Sequence, residues 1–374
     1  MGKTIVVVGG SFAGLQVSHK LLKQTVSTEK DLKVILVSKS THLYWNIASP
    51  RAIIPDAIKP EEIFRPIEPA FASYPKENFE LVFGAATALD PAANTVTVTT
   101  AGAEPRVLSY DFIVLASGAR SPTDDVLWKN PGTYEEGAAK IRDINEKVRA
   151  AQSYVVGGAG MTGVETAAEL AAEYKDKEVV LISADAEILS GDATAAAAES
   201  QITKLGVKVR KGVKVTGSAS APDASGKTEV SLSDGSKILT DLYIPTIGLV
   251  PNSEYIPAAL LTERGYLAVD DEFRAKGHEN IWGTGDLVSV PRASLVITDK
   301  QTAGVFQNVD AAIKGKPQVP VKGMPFDVML VSTGRKSGAG RLGVVSLPSF
   351  VVWGMKSRNL IMNMIPGYAS GSKW

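Results

Sequence analysis

Two glycine-rich segments have the residue types and spacing to bind a pyrophosphate. The first comprises Gly9, Gly10, Ser11, Phe12, Ala13 and Gly14, and the second includes Gly158, Gly160, Met161, Thr162 and Gly163. Each follows a short β-branched run and precedes a helical pattern. In such a turn the glycines let the backbone approach the phosphates, and the helix N-terminus supplies free amides. The two segments therefore predict two dinucleotide sites, with a hydride passing between the bound dinucleotides.

A glycine–aspartate motif, Gly285-Asp286, lies far downstream of both segments. It follows a predicted strand at 280–282 and precedes a helix predicted to begin near Thr298. There the carboxylate of Asp286 can accept hydrogen bonds from the ribityl hydroxyls of a flavin while the helix N-terminus faces the ring. The alternative is an ordinary loop turn, since Gly-Asp pairs are common.

Two charged residues are candidates for a direct role in the reaction. Glu165 lies in the first turn of the helix after the second glycine segment, where it either complements the helix dipole or faces the nicotinamide or flavin edge. Lys300 is expected at the start of the helix after the Gly-Asp motif. A lysine there opposes the dipole, so a partner is expected, and near a flavin it would stabilise the reduced anionic ring. The alternative for both is an ordinary surface charge.

The acidic residue that usually binds the ribose hydroxyls is absent at both sites. Ser38 and Lys39 hold its place after the first segment, and Ser183, followed by Asp185, holds it after the second. Ser183 cannot repel a 2′-phosphate as an acidic side chain would, and no arginine lies nearby in the sequence. The choice between NADH and NADPH therefore stays open.

Composition excludes several kinds of chemistry. The 374 residues contain no cysteine, which rules out disulfides, thiolate metal sites and dithiol redox relays. The three histidines show no ligand spacing, so no metal site is expected. Because the formal net charge is zero, no nucleic acid partner is expected either.

The sequence predicts a cytoplasmic protein. The apolar run at 4–8 is too short for a signal peptide or a membrane span. Val6 stands where an N-myristoylation signal needs serine or threonine, and the terminal Ser372-Lys373-Trp374 matches a peroxisomal signal only weakly.

Periodicity predicts an α/β protein with two Rossmann-like dinucleotide-binding domains. The second domain, at 123–249, is expected to be inserted into a first domain made of 1–122 and 250–320. A polar linker is expected at 121–131, and a short C-terminal segment covers 321–374. Turn residues at Asp90-Pro91 and Asp234-Gly235 predict hairpins.

With these motifs in place, the chain resembles the two-dinucleotide-binding flavoprotein reductases. Within them it is similar to the apoptosis-inducing-factor-2-like family, the ferroptosis-suppressor-type quinone reductases and their fungal relatives. The generic motifs are the two glycine segments, Ala116-Ser117-Gly118 and Gly285-Asp286. The more specific ones are the segment 46–51, the Gly163-Val164-Glu165 ending, and the tail segments 332–340 and 356–360.

The resemblance implies FAD in the first domain and NADH or NADPH in the second, with a quinone or a similar small molecule as electron acceptor. Asn46 and Arg51 would then line the flavin, and Glu165 and Lys300 would lie near its ring. Gly248, which ends the predicted strand at 242–247, is expected at the second nucleotide. The lipidation signal of membrane-bound relatives is absent, and Tyr44-Trp45 adds aromatic bulk beside the flavin.

The leading hypothesis is an FAD-dependent NAD(P)H oxidoreductase that reduces a quinone, a related small molecule or oxygen. A specialised oxidation in a biosynthetic pathway fits equally well. One alternative is a ferredoxin or rubredoxin reductase. Another is a flavin-containing binding or signalling protein at a membrane surface, with Phe350 and Trp353 against the lipid and Lys356 and Arg358 at the headgroups. For this last segment, a lid over the flavin site is the competing interpretation.

Overall fold

The computed structural model describes residues 2–123, 126–130, 132–221, 226–288 and 290–374. The first strands are β1 Thr4–Val8, β2 Lys33–Ser38, β3 His42–Tyr44, β4 Phe64–Pro66, β5 Phe79–Phe83, β6 Ala85–Asp90, β7 Thr95–Thr99, β8 Arg106–Ser109, β9 Phe112–Leu115 and β10 Ala119–Arg120. The later strands are β11 Ser153–Gly157, β12 Glu178–Ile182, β13 Lys208–Arg210, β14 Val215–Ser220, β15 Thr228–Leu232, β16 Lys237–Thr240, β17 Leu242–Pro245, β18 Val250–Pro251, β19 Ile281–Gly283, β20 Val328–Ser332, β21 Gly338–Leu342 and β22 Val345–Leu347. The α-helices are α1 Phe12–Lys20, α2 Ser49–Ala52, α3 Pro60–Ile63, α4 Glu68–Phe71, α5 Tyr134–Ala150, α6 Met161–Glu173, α7 Ala195–Lys204, α8 Leu295–Ile313, α9 Ser349–Val352 and α10 Ile365–Ser370.

A five-stranded parallel sheet in the order β19–β9–β1–β2–β5 forms the first unit. Its central strands are continuous apolar runs, as strands covered on both faces require. The helix α1 follows β1 and packs against α8. Because β19 joins this sheet from far downstream, the chain leaves the first unit after β9 and returns to it.

A four-stranded parallel sheet in the order β13–β12–β11–β17 forms the second unit. All four strands come from the part of the chain between β9 and β19, so the second unit is inserted into the first. The fold prediction of two Rossmann-like units, one inserted into the other, is therefore confirmed. The hairpins predicted around Asp90-Pro91 and Asp234-Gly235 are the antiparallel pairs β6–β7 and β15–β16. The exact domain boundaries remain predictions.

The C-terminal segment is a small antiparallel sheet, β20–β21–β22, followed by short helices. It contacts both units: β20 packs on α6 and β21 on α7, while α10 packs on α1. Its buried side chains belong to the two main cores, with Val331 and Ala339 in that of the second unit and Tyr368 in that of the first.

Within the described residues, the segment predicted to be a polar linker, 121–131, carries buried apolar side chains. Asp124, Asp125 and Pro131 lie outside the described residues, but Val126, Leu127 and Trp128 are buried. Apolar side chains in this short stretch pack inward because they join the core of the second unit or, for Leu127, that of the first. The segment is therefore a packed connection between the units.

Candidate functional site

The two glycine turns have the same backbone geometry. Gly9 and Gly158 have φ of +122° and +109°, values that side-chain-bearing residues rarely adopt. A Cβ at Gly14 or Gly163 would lie 1.7 or 1.8 Å from the carbonyl oxygen of the first glycine of its turn. Glycine is therefore required at these four positions by the strand-to-helix turn itself.

The helices that follow these turns present free amides at their N-termini. Ser11 and Gly160 are the N-cap residues of α1 and α6, and neither N-cap side chain makes a capping hydrogen bond. No acidic residue occupies the first turn of either helix, so Glu165, expected in the first turn of the second helix, lies one turn further along α6. A Cβ at Gly160 would meet nothing within 4 Å, so the space in front of this helix is open. Both ends fit a pyrophosphate, because they offer unsatisfied amides and a partial positive charge.

One cleft of about 1420 Å³ extends along residues of both units. It is lined by most of the candidates that the sequence indicated for the first site: Gly9, Gly10, Ser11, Phe12, Ala13, Ser38, Lys39, Asn46, Ala116, Ser117, Gly118 and Asp286. It is also lined by candidates from the second unit: Met161, Thr162, Glu165 and Gly248. A hydride can pass only between groups in contact, and a shared cleft meets that requirement.

Five other candidates act on the turns or the strand ends rather than on the cleft surface. Gly14, Gly158 and Gly163 are required by the two turns, Gly160 is the N-cap of α6, and none of the four is part of the lining. Ser183 is buried, and its hydroxyl donates to the carbonyl of Glu187 at 3.2 Å. Ser38 likewise donates to the carbonyl of Ser40, at 2.6 Å. Both serine hydroxyls donate locally, so towards a ribose each could act only as a hydrogen-bond acceptor.

The structure places Arg51 away from the cleft surface. Its guanidinium is buried and forms a bidentate contact with Glu169 of α6, with Nε and Nη2 at 3.0 and 2.7 Å from the two carboxylate oxygens. The expectation that Arg51 lines the flavin is therefore not what the geometry shows. A buried guanidinium needs a paired acid, and Glu169 supplies it from the second unit.

Lys300 is also outside the cleft lining. The helix α8 begins at Leu295 instead of near Thr298, so Lys300 lies in its second turn and its side chain is exposed. The neighbouring Asp299 accepts hydrogen bonds from Tyr368 and Lys373 of the C-terminal segment. The position expected to bring a positive charge to the flavin thus faces solvent.

A different lysine brings a positive charge to the cleft. Lys356 Nζ lies 2.7 Å from Glu165 Oε1, and both side chains are buried and line the cleft. The Lys356 ammonium also donates to the carbonyl of Leu330 at 2.9 Å, and the amide of Ser332 donates to Glu165 at 2.8 Å. The sequence indicated Lys356 only as part of the tail segment 356–360 and, in the membrane interpretation, as a headgroup contact together with Arg358.

Asp286 pairs with a second residue that the sequence did not single out. Lys129 Nζ lies 2.6 Å from Asp286 Oδ2, and both line the cleft. Lys129 comes from the packed connection between the units. The Asp286 carboxylate is therefore held at the cleft by a cation, in a position from which it can accept hydroxyl hydrogen bonds.

Aromatic side chains complete the wall beside Asn46. The hydroxyl of Tyr44 donates to the carbonyl of Leu127 at 2.8 Å, and burial raises the pKa of Tyr44 above its ordinary value. The indole of Trp128 donates to the carbonyl of Pro245 at 2.7 Å. Both polar atoms are satisfied by backbone, so the rings present rigid, neutral surfaces to the cleft.

The site fits FAD and a nicotinamide nucleotide in the same cleft. The first turn, Asp286 and the aromatic wall match the pyrophosphate, ribityl and ring portions of a flavin, and the second turn matches a second pyrophosphate. No group of histidine and acidic side chains that could hold a metal ion occurs within the described residues. Across the same described ranges, no helix combines the length and the apolar character that a bilayer crossing requires.

Comparison with known proteins agrees with this geometry. Residues 3–315 match the family model described as pyridine nucleotide-disulphide oxidoreductase. The chain is 37% identical to oxidoreductase ptaL of Pestalotiopsis fici over 99% of both chains. It is 26% identical to ferroptosis suppressor protein 1 of Xenopus laevis, with 96% of this chain and 94% of that protein covered. The resemblance inferred from the motifs is thus confirmed.

A solved structure shows the same fold at low identity. The sulfide:quinone oxidoreductase of Aquifex aeolicus superposes with a TM-score of 0.79 and 17% identity, over 99% of this chain and 92% of that chain. With the family model covering most of the chain and a relative above 30% identity along its whole length, the assignment follows. The chain belongs to the pyridine nucleotide-disulphide oxidoreductase family and is an FAD-dependent NAD(P)H oxidoreductase.

Proposed function

We propose that this enzyme oxidises NADH or NADPH and passes the electrons to a quinone or a similarly small acceptor that enters the shared cleft. The observation that carries the proposal is the continuity of this cleft between the two glycine turns, in a chain that contains no cysteine. Relatives that use a dithiol relay need thiols beside the flavin. Without them, electrons must leave the flavin directly to the acceptor.

The groups of the protein itself bind and orient the two nucleotides and place a fixed charge in the cleft. FAD, when bound, supplies the two-electron chemistry. The amides of the two helix N-termini would hold the pyrophosphates, and Asp286 would accept hydrogen bonds from the ribityl hydroxyls. Lys356 provides a fixed positive charge where negative charge develops on reduction, and Glu165 holds the lysine in place. Tyr44 and Trp128 exclude water from this end of the cleft.

A small acceptor is favoured over an electron-transfer protein. Ile47 and Leu295 add apolar surface to the cleft, which suits a flat organic molecule. The C-terminal segment is a small antiparallel sheet with short helices, instead of the compact βαβ-type domain expected of ferredoxin or rubredoxin reductases. It packs against α6, beside the cleft residues Glu165 and Lys356.

The acceptor can be tested by re-oxidation of the NADH-reduced enzyme. The reduced protein is mixed in a stopped-flow instrument with a short-chain quinone, with a small iron–sulfur protein or with oxygen, each at two ionic strengths. We expect the quinone to react at least about tenfold faster than the other two and to show little salt dependence, since docking of charged proteins is screened by salt. Faster, salt-sensitive oxidation by the iron–sulfur protein would support the reductase alternative instead.

The membrane alternative is weakened by the position of its own residues. Phe350 is 73% exposed, but Lys356, which was to reach the headgroups, is buried against Glu165. Trp353 is only partly exposed, and its indole donates to the carbonyl of Arg335 at 2.9 Å. Lack of binding to anionic liposomes would remove this alternative.

A further inference from the structure

One face of α6 carries two buried carboxylates a single turn apart. Glu165 and Glu169 are 4% and 1% exposed, and residues four apart on a helix are neighbours on its surface. Each is paired with a cation from another part of the molecule: Glu165 with Lys356, and Glu169 with Arg51. The face therefore joins the second unit to both the C-terminal segment and the first unit.

Arg51 makes more contacts than an ion pair requires. Besides the bidentate contact with Glu169, its Nη2 donates to the carbonyl of Ser357 at 2.8 Å and its Nη1 to the carbonyl of Arg358 at 3.3 Å. The side chain thus uses the planar fork of a guanidinium to connect three chain segments, a geometry that a lysine ammonium cannot reproduce.

These contacts lead directly to the cleft on each side. Arg51 belongs to α2, whose residues Ser49 and Pro50 line the cleft. Ser357 follows Lys356, which lines it as well, and Glu169 lies one turn after Glu165. A change in the position of the guanidinium would therefore move one wall of the cleft, the helix of the second nucleotide and the lysine relative to one another.

We propose that Arg51 is a positioning residue that sets the distance between the two dinucleotides and holds Lys356 beside Glu165. The inference rests on the proposed hydride transfer between nucleotides in one cleft. It replaces the flavin-lining role that the resemblance implied with a role at the junction of the two units. Reacting atoms must lie about 3–3.5 Å apart, and a displacement of about 1 Å lowers a rate by about a hundredfold.

A second bidentate arginine–carboxylate contact in the chain provides a matched control for the contact of Arg51 with Glu169. Arg341 of β21 forms a bidentate contact with Asp192, at 3.0 and 2.6 Å, and so also joins the C-terminal segment to the second unit. Neither residue lines the cleft. Arg341→Lys weakens a junction between segments without touching the Arg51 contacts.

The test compares Arg51→Lys, Glu169→Gln and Arg341→Lys with the wild-type holoenzyme. Three quantities are measured: flavin occupancy, the rate of flavin reduction with protiated and 4-deuterated NADH under anaerobic conditions, and amide hydrogen exchange. For Arg51→Lys and Glu169→Gln we expect wild-type flavin occupancy, reduction slowed by about ten- to a hundredfold with a larger isotope effect, and faster exchange at 357–360. Arg341→Lys should stay within about twofold of the wild-type reduction rate.

Two results would overturn the proposal. One is a folded Arg51→Lys that keeps wild-type reduction rates and unchanged exchange at 357–360. The other is loss of flavin from Arg51→Lys while Glu169→Gln keeps it, because that would return Arg51 to flavin binding. If neither NADH nor NADPH reduces the wild-type flavin, the proposed function fails by itself, and the exchange data still decide whether Arg51 holds the segment of Lys356.

Discussion

Glu165 and Lys356 show how single charges are placed in this cleft. Each is buried, and each is held by a backbone hydrogen bond as well as by its partner. A buried charge that loses its partner is uncompensated, so the pair acts as a unit. In the proposed function, the fixed ammonium would lie where reduction of the flavin adds negative charge, and its placement would need no reorganisation during the reaction.

Replacing Lys356 should impair reduction far more than replacing Lys300. For Lys356→Met we expect the rate of flavin reduction by NADH to fall by about ten- to a hundredfold, because the fixed charge is lost. For Lys300→Met, at an exposed position, we expect a change within about twofold. Rapid-mixing absorbance of the flavin measures both. Equal losses in the two variants would mean that the charge near the flavin comes from elsewhere.

Asp185 is expected to favour NADH over NADPH. Its exposed carboxylate accepts a hydrogen bond from Ser190, at 3.1 Å, and Ser190 lines the cleft. The nearby cations Arg210 and Lys211 are already paired with acidic side chains. The 2′-phosphate of NADPH would therefore meet the uncompensated negative charge of Asp185. We expect this repulsion to make kcat/KM for NADPH about tenfold lower than for NADH.

The coenzyme preference can be measured on two variants. Asp185→Asn should lower the ratio of kcat/KM for NADH to that for NADPH, because it removes the charge that repels the 2′-phosphate. Asp143→Asn, an exposed carboxylate on α5, should leave the ratio unchanged. A wild-type preference for NADPH would contradict the argument.

Elements were predictable from the sequence where local geometry alone requires particular residues. The strand–turn–helix units at Gly9 and Gly158 follow from spacing, since the first and last glycine of each turn are required by its backbone geometry. Lys356 was not predictable as a partner of Glu165, because that contact depends on how the C-terminal segment folds back on α6. Likewise, Arg51 lies next to cleft residues in sequence, but its side chain turns to Glu169, which no local pattern reveals.

A substitution at Gly9 tests directly whether the first turn requires glycine. A Cβ at Gly9 would lie 2.2 Å from the carbonyl oxygen of Ala116, in a backbone with φ of +122°. Gly9→Ala should lower the free energy of unfolding by about 3 kcal/mol and reduce flavin occupancy. Gly217→Ala, where a Cβ meets nothing within 4 Å, is the control and should keep both. A Gly9→Ala protein with full flavin occupancy and wild-type stability would contradict this explanation of the turn.

At the level of the whole molecule, the C-terminal end packs against α1 around a buried histidine. His19 is fully buried, stacked on Phe71 with ring centroids 4.1 Å apart. Its Nε2 donates to the carbonyl of Ala369 at 2.9 Å, so Nδ1 of the neutral ring accepts from the hydroxyl of Tyr74 at 3.0 Å. Burial lowers the pKa of His19 from 6.5 to about 4.

Stability should therefore fall on mild acidification. Between pH 6.5 and about 4 the unfolded chain binds a proton at His19 that the folded chain does not bind. The contribution is fully present above pH 6.5 and is lost as the pH falls towards the folded pKa. From pH 7.5 to pH 5 the loss is about 2 kcal/mol. Urea unfolding of wild type and His19→Gln at both values measures it, and equal pH dependence in the two proteins would contradict the assignment.

In the proposed function, a nicotinamide nucleotide reduces a flavin bound in the same cleft. Anaerobic titration of the purified protein with NADH and then with NADPH, followed by visible absorbance, tests it most directly. We predict a protein isolated with FAD whose absorbance band at about 450 nm is bleached by one equivalent of nucleotide. A protein that holds no flavin, or a bound flavin that neither nucleotide reduces, would contradict the account.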